Sequence, residues 1–401
     1  MKVLQINAVN KLSSTGRTSY EMSEYLNSHG IDCCVSFSKG PTTEHSYRIG
    51  NNRDTKVHGL FSRLSGKQGY FSKKATKDLI NFMDEYMPDI VVLRNLHGNF
   101  INLPLLFDYL AKKDVATVAV LHDCWFFTGR CCHYTSAGCY KWQSECNNCP
   151  QLNKYNKSWF FDKSRTMHKD KKEYFSSLSK LAVVAVSKWL RDEATKAPVF
   201  ENAKEITYIY NWINTDLFKS VDSDNLRAKH NLQDKKVLLA VAASWSSEKG
   251  LDTVKEIGDR LNENQRMILI GRLPEGTLLS DRVINIAPTE SAEELVKYYS
   301  MADVFIQPSL EETFGKVSAE ALSCGTPVVC FDSTASPELI GDNCGAVSKV
   351  GDIEGMLENI NSILSKDKAE YSADCRAFVE ENFSMEKNLI KYTELFDRLT
   401  G

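Results

Sequence analysis

Short continuous apolar runs recur along the chain, separated by stretches with helical spacing. Val3–Asn7, Cys33–Phe37, Ile90–Leu93, Thr117–Leu121, Val183–Val186 and Ile206–Tyr210 predict strands. Tyr20–Asn27, Lys74–Tyr86 and Leu103–Lys112 predict helices between them. Strands that are apolar throughout, not at every second position, suit a parallel sheet covered on both faces. The pattern then restarts. Val237–Ala242, Met267–Ile270, Val283–Ile286, Val304–Ile306 and Val328–Phe331 predict strands, and Leu251–Asn262, Ala292–Met301 and Phe314–Leu322 predict helices. Two successive runs of this kind predict an α/β chain of two Rossmann-like domains, residues 1–213 and 214–384, followed by a last helix over 385–401. Ligands of such sheets lie at the carboxyl ends of the strands, so a central cleft faced by both domains is the expected site.

Composition narrows the function without fixing it. The chain has 401 residues, long enough for two ordinary domains, with 42% hydrophobic and 25% charged positions. A formal net charge of −3 argues against a general nucleic-acid binder. No apolar run approaches the roughly 18 residues of a membrane span. Met1-Lys-Val-Leu-Gln-Ile-Asn7 reads as a first strand, not a signal peptide, so the expected location is the cytoplasm.

The richest chemistry lies in Ser309-Leu-Glu-Glu-Thr-Phe-Gly-Lys-Val-Ser-Ala-Glu320-Ala-Leu-Ser-Cys-Gly325-Thr-Pro-Val-Val. Glu312 and Glu320 stand eight residues apart, with a turn at Thr313–Gly315 opening a helix between them. Free N–H groups at a helix start suit an anion. Carboxylates accept from sugar hydroxyls. Phosphate beside polyol describes a nucleotide sugar. Two surface glutamates on a plain βαβ unit would give the same spacing.

The longer pattern, Pro-Ser-x-x-Glu-Thr-Phe-Gly…Glu-Ala…Cys-Gly-Thr-Pro-Val-Val, resembles the Glu-x7-Glu motif of glycosyltransferase family 4, retaining enzymes of the GT-B fold. The resemblance implies that Glu312 binds hydroxyls of the transferred sugar and that backbone N–H groups of Thr313, Phe314, Gly315 and Lys316 meet sugar and phosphate. It implies that Glu320 holds the ribose hydroxyls, and that the last helix packs back on the first domain. The loop after the first strand, with Gly16 and Arg17, resembles the family's first glycine-rich loop. It has one glycine where many members have two, and Ser14 or Thr15 can cap its helix. His122, in Val120-Leu-His-Asp123, falls where the family has a histidine at the donor sugar. Asn95 and His97 are further candidates for the same cleft. Ser244-Trp-Ser-Ser-Glu-Lys249-Gly250 matches a phosphate-binding segment, with Lys249 heading a helix. Ser244 stands where an arginine is common, which leaves the diphosphate to Lys249 with Arg17 or Arg272.

Six of the twelve cysteines cluster between Cys124 and Cys149. Cys146 and Cys149 form a Cys-x2-Cys pair, and Cys131 and Cys139 can complete a tetrahedral S4 zinc site, with Cys132 or His133 as substitutes. This insert, 124–150, reads as a loop of low apolar content that needs a staple. Disulfides or free thiols are the alternatives. Similar inserts occur in a subset of the family. No catalytic metal is expected. Between Asn51 and Asp78, seven cations face two aspartates, with Leu60, Phe61, Leu64, Tyr70 and Phe71 interleaved. This pattern suits either a solvated face or peripheral contact with the inner face of an anionic membrane.

The reading is a retaining glycosyltransferase. It would take a nucleoside diphosphate sugar as donor and a saccharide or lipid-linked saccharide as acceptor, in assembly of a bacterial surface polysaccharide. The family implies a front-face reaction without a covalent intermediate. A nucleotide-sugar 2-epimerase would release free epimerised donor with no acceptor present. A non-catalytic binding protein would bind nucleotide without turnover.

Overall fold

The computed structural model describes all 401 residues and divides into two compact units, Met1–Ile209 with Leu389–Gly401, and Tyr210–Asn388. The chain thus leaves the first unit a few residues before the polar stretch at Asn214. The aromatic pair Tyr210 and Phe383, ring centroids 5.0 Å apart, already belongs to the second unit.

The first unit is a seven-stranded sheet of β1 (Lys2–Val9), β2 (Asp32–Lys39), β3 (Ser46–Arg48), β4 (Ile90–Leu93), β5 (Ala116–Leu121), β6 (Leu181–Ala185) and β7 (Glu205–Tyr208). Its order is β3-β2-β1-β4-β5-β6-β7 and the pairings are parallel. The central strands β4, β5 and β6 are buried at every position, as their unbroken apolar sequence requires. The helices are α1 (Ser13–Ser28), α2 (Asn52–Ser65), α3 (Lys73–Tyr86), α4 (Leu103–Lys113), α5 (Ser164–Ser176) and α6 (Lys188–Thr195). The apolar pattern does not reveal α2, α5 and α6. α2 and α5 bury polar residues such as His58, Ser62, His168 and Lys171.

The second unit carries β8 (Lys236–Ser244), β9 (Gln265–Arg272), β10 (Val283–Ile286), β11 (Val304–Gln307), β12 (Val328–Phe331) and β13 (Gly345–Ser348), in the parallel order β10-β9-β8-β11-β12-β13. Helices α7 (Asp224–Lys229), α8 (Leu251–Arg260), α9 (Ala292–Met301), α10 (Lys316–Ser323), α11 (Ile353–Leu364), α12 (Ala369–Asn382) and α13 (Met385–Thr400) complete the chain. The end of α13 is part of the first unit, where Arg398 donates to Glu205 at 3.0 Å.

In each sheet the strand order reverses once, between β1 and β4 and between β8 and β11. Loops leaving neighbouring strands diverge at such a point, and the crevice between them is where open α/β sheets bind ligands.

Two buried histidines set an acid limit on the first unit. His58 accepts from Gly69 N at 3.2 Å and meets Ser72 Oγ at 2.8 Å, and its packing against the Phe71 ring leaves it dry. Burial lowers His58 from the ordinary 6.5 to about 4. Burial, and then the charge of Lys171, lower His168 to about 4. Between these values and 6.5 the unfolded chain binds more protons than the folded one. Stability therefore falls as pH drops through that window, by up to about 1.4 kcal/mol per pH unit for each histidine. Melting of the wild type should move to lower temperature from pH 7 to pH 5. His58→Gln, which keeps an acceptor, should show a smaller drop; an equal drop in both proteins contradicts this assignment.

Candidate active site

The second unit brings Lys249 and Glu312 together at its reversal point. β8 runs into Trp245, then a single 3-10 turn over Ser247–Lys249, and α8 begins at Leu251. Lys249 therefore precedes the helix instead of heading it, and Ser246 Oγ accepts from its N–H at 3.4 Å. Gly250, at φ 77°, lies so close to the β11 loop that a Cβ would fall 2.2 Å from the Pro308 carbonyl oxygen. Leu310 N donates to Glu248 O at 2.9 Å, which ties the two loops together. Across this junction Lys249 Nζ lies 2.6 Å from Glu312 Oε1.

Glu312 is held from several sides. Gln307 Nε2 donates to Oε1 at 3.2 Å. Thr334 Oγ1 accepts from Glu312 N and donates to Glu312 O, both at 2.7 Å. Thr334 adopts a left-handed backbone (φ 51°), an uncommon conformation for a β-branched residue that this pair of bonds holds in place. Neither Gln307 nor Thr334 is prominent in the sequence. The only signal is a glutamine ending an otherwise apolar strand.

The loop ends at Gly315 (φ 89°), and Lys316 is the first residue of α10. The Ser318 hydroxyl, in the first turn, is buried without a hydrogen-bond partner. N–H groups of the first turn of an eight-residue helix and a spare hydroxyl make an anion-binding corner. Thr313 lies in the same loop. The Phe314 side chain turns away into the core, packing 5.3 Å from Phe383 and 6.0 Å from Tyr210, so it anchors the loop. Glu320 is 5% exposed, with Tyr299 OH donating to Oε2 at 3.0 Å. Arg272 ends β9 as the register partner of Ser244. It places a cation on the neighbouring strand, beside the position that lacks one.

In the first unit, Gly16 is buried and faces its own loop. A Cβ there would meet Val9 Cγ2 at 3.1 Å and Lys11 N at 3.2 Å, so the missing side chain lets α1 sit against the strand exit. The helix is not capped by Ser14 or Thr15. Its N-cap position is Leu12, with no side-chain bond. Asn7 secures the turn instead, donating to Val9 O at 2.9 Å and Thr15 O at 3.2 Å and accepting from Asn95 N at 3.3 Å. Arg17 is half-buried one residue further on.

His122 and Asp123 follow β5 but do not pair with each other. Asp123 Oδ2 lies 2.9 Å from His97 Nε2, and Oδ1 accepts from Trp125 N at 2.8 Å. Burial raises the Asp123 carboxyl, but His97 and the Trp125 N–H outweigh it and bring the value down to about 2. His122 Nε2 faces Arg94 Nη1 at 3.1 Å. Arg94 is 1% exposed and also donates to Gln5 Oε1 at 2.8 Å. A guanidinium only donates, so His122 Nε2 must accept, and the ring proton sits on Nδ1. In the sequence, the only trace of Arg94 is an arginine directly after the apolar run Val91-Val-Leu93.

The insert after Asp123 is not poor in apolar residues. Trp125, Phe127, Tyr134 and Trp142 are each at most 2% exposed, and Phe127 and Trp142 pack at 4.8 Å. Cys131, Cys139, Cys146 and Cys149 line one small cavity of about 10 Å³. His97, Asp123 and Cys132 form a separate group of ligand-type atoms within 4.8 Å of one another.

The basic segment is largely helical and inverted. α2 buries His58, Gly59 and Ser62 and exposes Val57, Leu60, Phe61 and Leu64, which share one face at helical spacing. Arg53, Lys56 and Arg63 are exposed beside that stripe. Trp159 N donates to Arg63 O at 2.8 Å, which puts exposed Trp159, Phe160 and Phe161 at the end of the same helix. Tyr70 and Phe71 are half-buried; Tyr70 OH is bonded to Asp170 and Phe71 packs on His58. No helix of the chain is long and apolar enough to cross a membrane.

Two reversed parallel sheets with these loops are the GT-B architecture. Residues 15–217 match the model of Glycosyltransferase Family 4, and residues 222–381 match that of Glycosyl transferases group 1. The first match covers just over half of the chain, so the protein belongs to glycosyltransferase family 4. It is 33% identical over 148 residues to D-inositol 3-phosphate glycosyltransferase of Mycolicibacterium smegmatis, covering 37% of this chain and 30% of that protein. It is 25% identical over 229 residues to N-acetyl-alpha-D-glucosaminyl L-malate synthase of Bacillus anthracis, covering 53% and 58%. The matched stretches thus span less than two thirds of these relatives' lengths. Anabaena HepE, solved with UDP and glucose, is similar in fold, with a TM-score of 0.71, 15% identity, and 99% and 100% of the two chains covered.

The Arg94 contact makes a prediction about His122. Nitrogen-15 NMR of the imidazoles should place the His122 proton on Nδ1 near neutral pH, and Arg94→Met should release that preference. An Nε2–H tautomer in the wild type would contradict the geometry.

Proposed function

We propose that this glycosyltransferase moves a hexosyl unit from a nucleoside diphosphate sugar to a hydroxyl of a saccharide or lipid-linked saccharide, with retention at the anomeric carbon. The observation that carries this reading is the Lys249–Glu312 pair at a strand-order reversal, beside the start of α10. Lys249, Arg272 and the α10 N–H groups take the diphosphate, and the Ser318 hydroxyl adds a donor. Glu312, released from Lys249 by the incoming phosphate, accepts from hydroxyls of the sugar. Glu320 takes the ribose hydroxyls. The family resemblance, and no contact across the two units, is what assigns Gly16 and Arg17 to the donor diphosphate and acceptor and His122 to the donor sugar. The bond from C1 to the phosphate oxygen breaks, the bond to the acceptor oxygen forms on the same face, and the acceptor proton passes to the departing phosphate. Cations and helix N–H groups stabilise that leaving group, so the step is written without a catalytic metal. A UDP-containing structure of similar fold supports a nucleotide donor. An Escherichia coli relative named O-antigen chain mannosyltransferase B, 37% identical over 95 residues, supports a role in surface polysaccharide assembly.

Transfer is best measured with radiolabelled donors against saccharide acceptors. Glu312→Ala should lower kcat/KM by about 100-fold or more, and Lys249→Ala by a similar factor, with melting temperature preserved. Arg272→Ala should raise the donor KM. Wild-type rates in Glu312→Ala, an inverted product by NMR, or free epimerised donor without acceptor would each overturn the reading.

The inverted face of α2 supports a second element, docking on the cytoplasmic leaflet. Val57, Leu60, Phe61 and Leu64 with Trp159, Phe160 and Phe161 supply apolar anchors, and Arg53, Lys56 and Arg63 supply charge for anionic headgroups. The protein should sediment with phosphatidylglycerol-rich vesicles at low salt and release as salt rises. Phe61→Asp with Phe160→Asp should remove most of that binding. Failure of the wild type to sediment would end this assignment.

A further inference from the structure

We infer that Cys131, Cys139, Cys146 and Cys149 form a tetrahedral zinc site that organises the insert following Asp123. The four side chains reach a common cavity from separate turns of the chain. Cys131 Sγ and Cys149 Sγ lie 4.0 Å apart. Two thiolates on one zinc, each about 2.3 Å from it at a tetrahedral angle, stand about 3.8 Å apart. A disulfide would need about 2.05 Å. The cysteines are unbridged, and Cys139 and Cys146 line the same small space.

The surroundings fit a charged cluster. Arg130, next to Cys131, is 3% exposed, and its Nε and Nη1 lie buried without an acceptor. Only its Nη2 is used, on Asn156 O. Two unused guanidinium N–H groups beside two sulfurs are costly if those sulfurs are neutral thiols, which accept weakly. Thiolates held by zinc supply the acceptors. Gly129 N already donates to Cys146 Sγ at 3.2 Å. A buried amine, Lys171, lies over the Trp125 ring at 3.6 Å and donates to Thr128 O at 2.9 Å, on the segment that leads into Arg130 and Cys131. The buried Arg130 guanidinium near a doubly negative Zn(Cys)4 group is compensated in a way that four neutral thiols cannot provide.

The competing donor set is His97, Asp123 and Cys132. There His97 Nε2 and Asp123 Oδ2 already meet each other at hydrogen-bond distance, 2.9 Å. Three ligands of mixed hardness are also a weaker claim on zinc than four soft sulfurs. The site is structural on this reading: four protein ligands leave no position open for substrate.

Elemental analysis and zinc K-edge absorption test the site on the full chain, purified reduced and without chelator. About one zinc per chain is expected, with four sulfur neighbours at about 2.3 Å. Cys149→Ser and Cys139→Ser should lose the metal, and Cys132→Ser and His97→Ala should keep it. Arg130→Met, which retains all four thiols, should lose zinc to a competing chelator about 10–100-fold more readily. Should the cysteine variants fail to fold, chelation of the wild type still decides: it should open these four thiols to alkylation together. A chain without zinc, zinc that follows Cys132 instead of Cys149, or fewer than the twelve cysteines titrating as free thiols in denaturant would overturn the assignment.

Discussion

The ion pair between Lys249 and Glu312 depends on backbone more than on charge. Its two residues are sixty-three positions apart, and each leaves the carboxyl end of a different strand. They meet because β8 and β11 are neighbours at the reversal of the sheet, and because Leu310 N and Glu248 O join the loops. Gly250 allows that approach, and Thr334 clamps both backbone groups of Glu312. An exposed lysine–glutamate pair contributes little stability by itself. Here the pair sets a cation and an acceptor side by side, next to the start of α10, the arrangement on which the proposed donor site rests.

The first unit meets a different constraint, the burial of cations. Arg94, Arg130 and Lys171 are each at most 3% exposed. Each must find acceptors, because an unpaired buried charge costs several kcal/mol. Arg94 finds Gln5 and His122, and in doing so sets the tautomer of the histidine. Lys171 finds the carbonyls of Trp125 and Thr128. Arg130 is only partly satisfied by protein groups, and that deficit draws attention to the sulfurs beside it. The aromatic core of the insert gives these charges a dry and rigid setting.

Most of the strand pattern was legible because parallel sheets write continuous apolar runs into the chain. β4, β10 and β12 lie on the predicted residues, and α9 spans its predicted stretch. Elements with polar buried faces were not legible: α2 turns His58 and Ser62 inward and its apolar stripe outward. At the site, motif residues such as Glu312 and Lys249 could be found from type and spacing. Gln307, Thr334, Ser318 and Arg94 could not, because their importance comes from contacts that only the fold creates. His122 and Asp123 are adjacent in the chain, yet a strand end sends them to different partners, Arg94 and His97.

The central claim is that Lys249 grips the diphosphate and Glu312 reads the sugar. Calorimetric titration of wild type, Lys249→Ala and Glu312→Ala with nucleoside diphosphates and with the matching nucleotide sugars tests it directly. Glu312→Ala should bind the free diphosphate at least as well as wild type, since Lys249 is then unpaired, but should lose the extra affinity conferred by the sugar. Lys249→Ala should weaken both ligands. Equal affinities across the three proteins, or a Glu312→Ala variant that keeps full nucleotide-sugar affinity, would contradict the account.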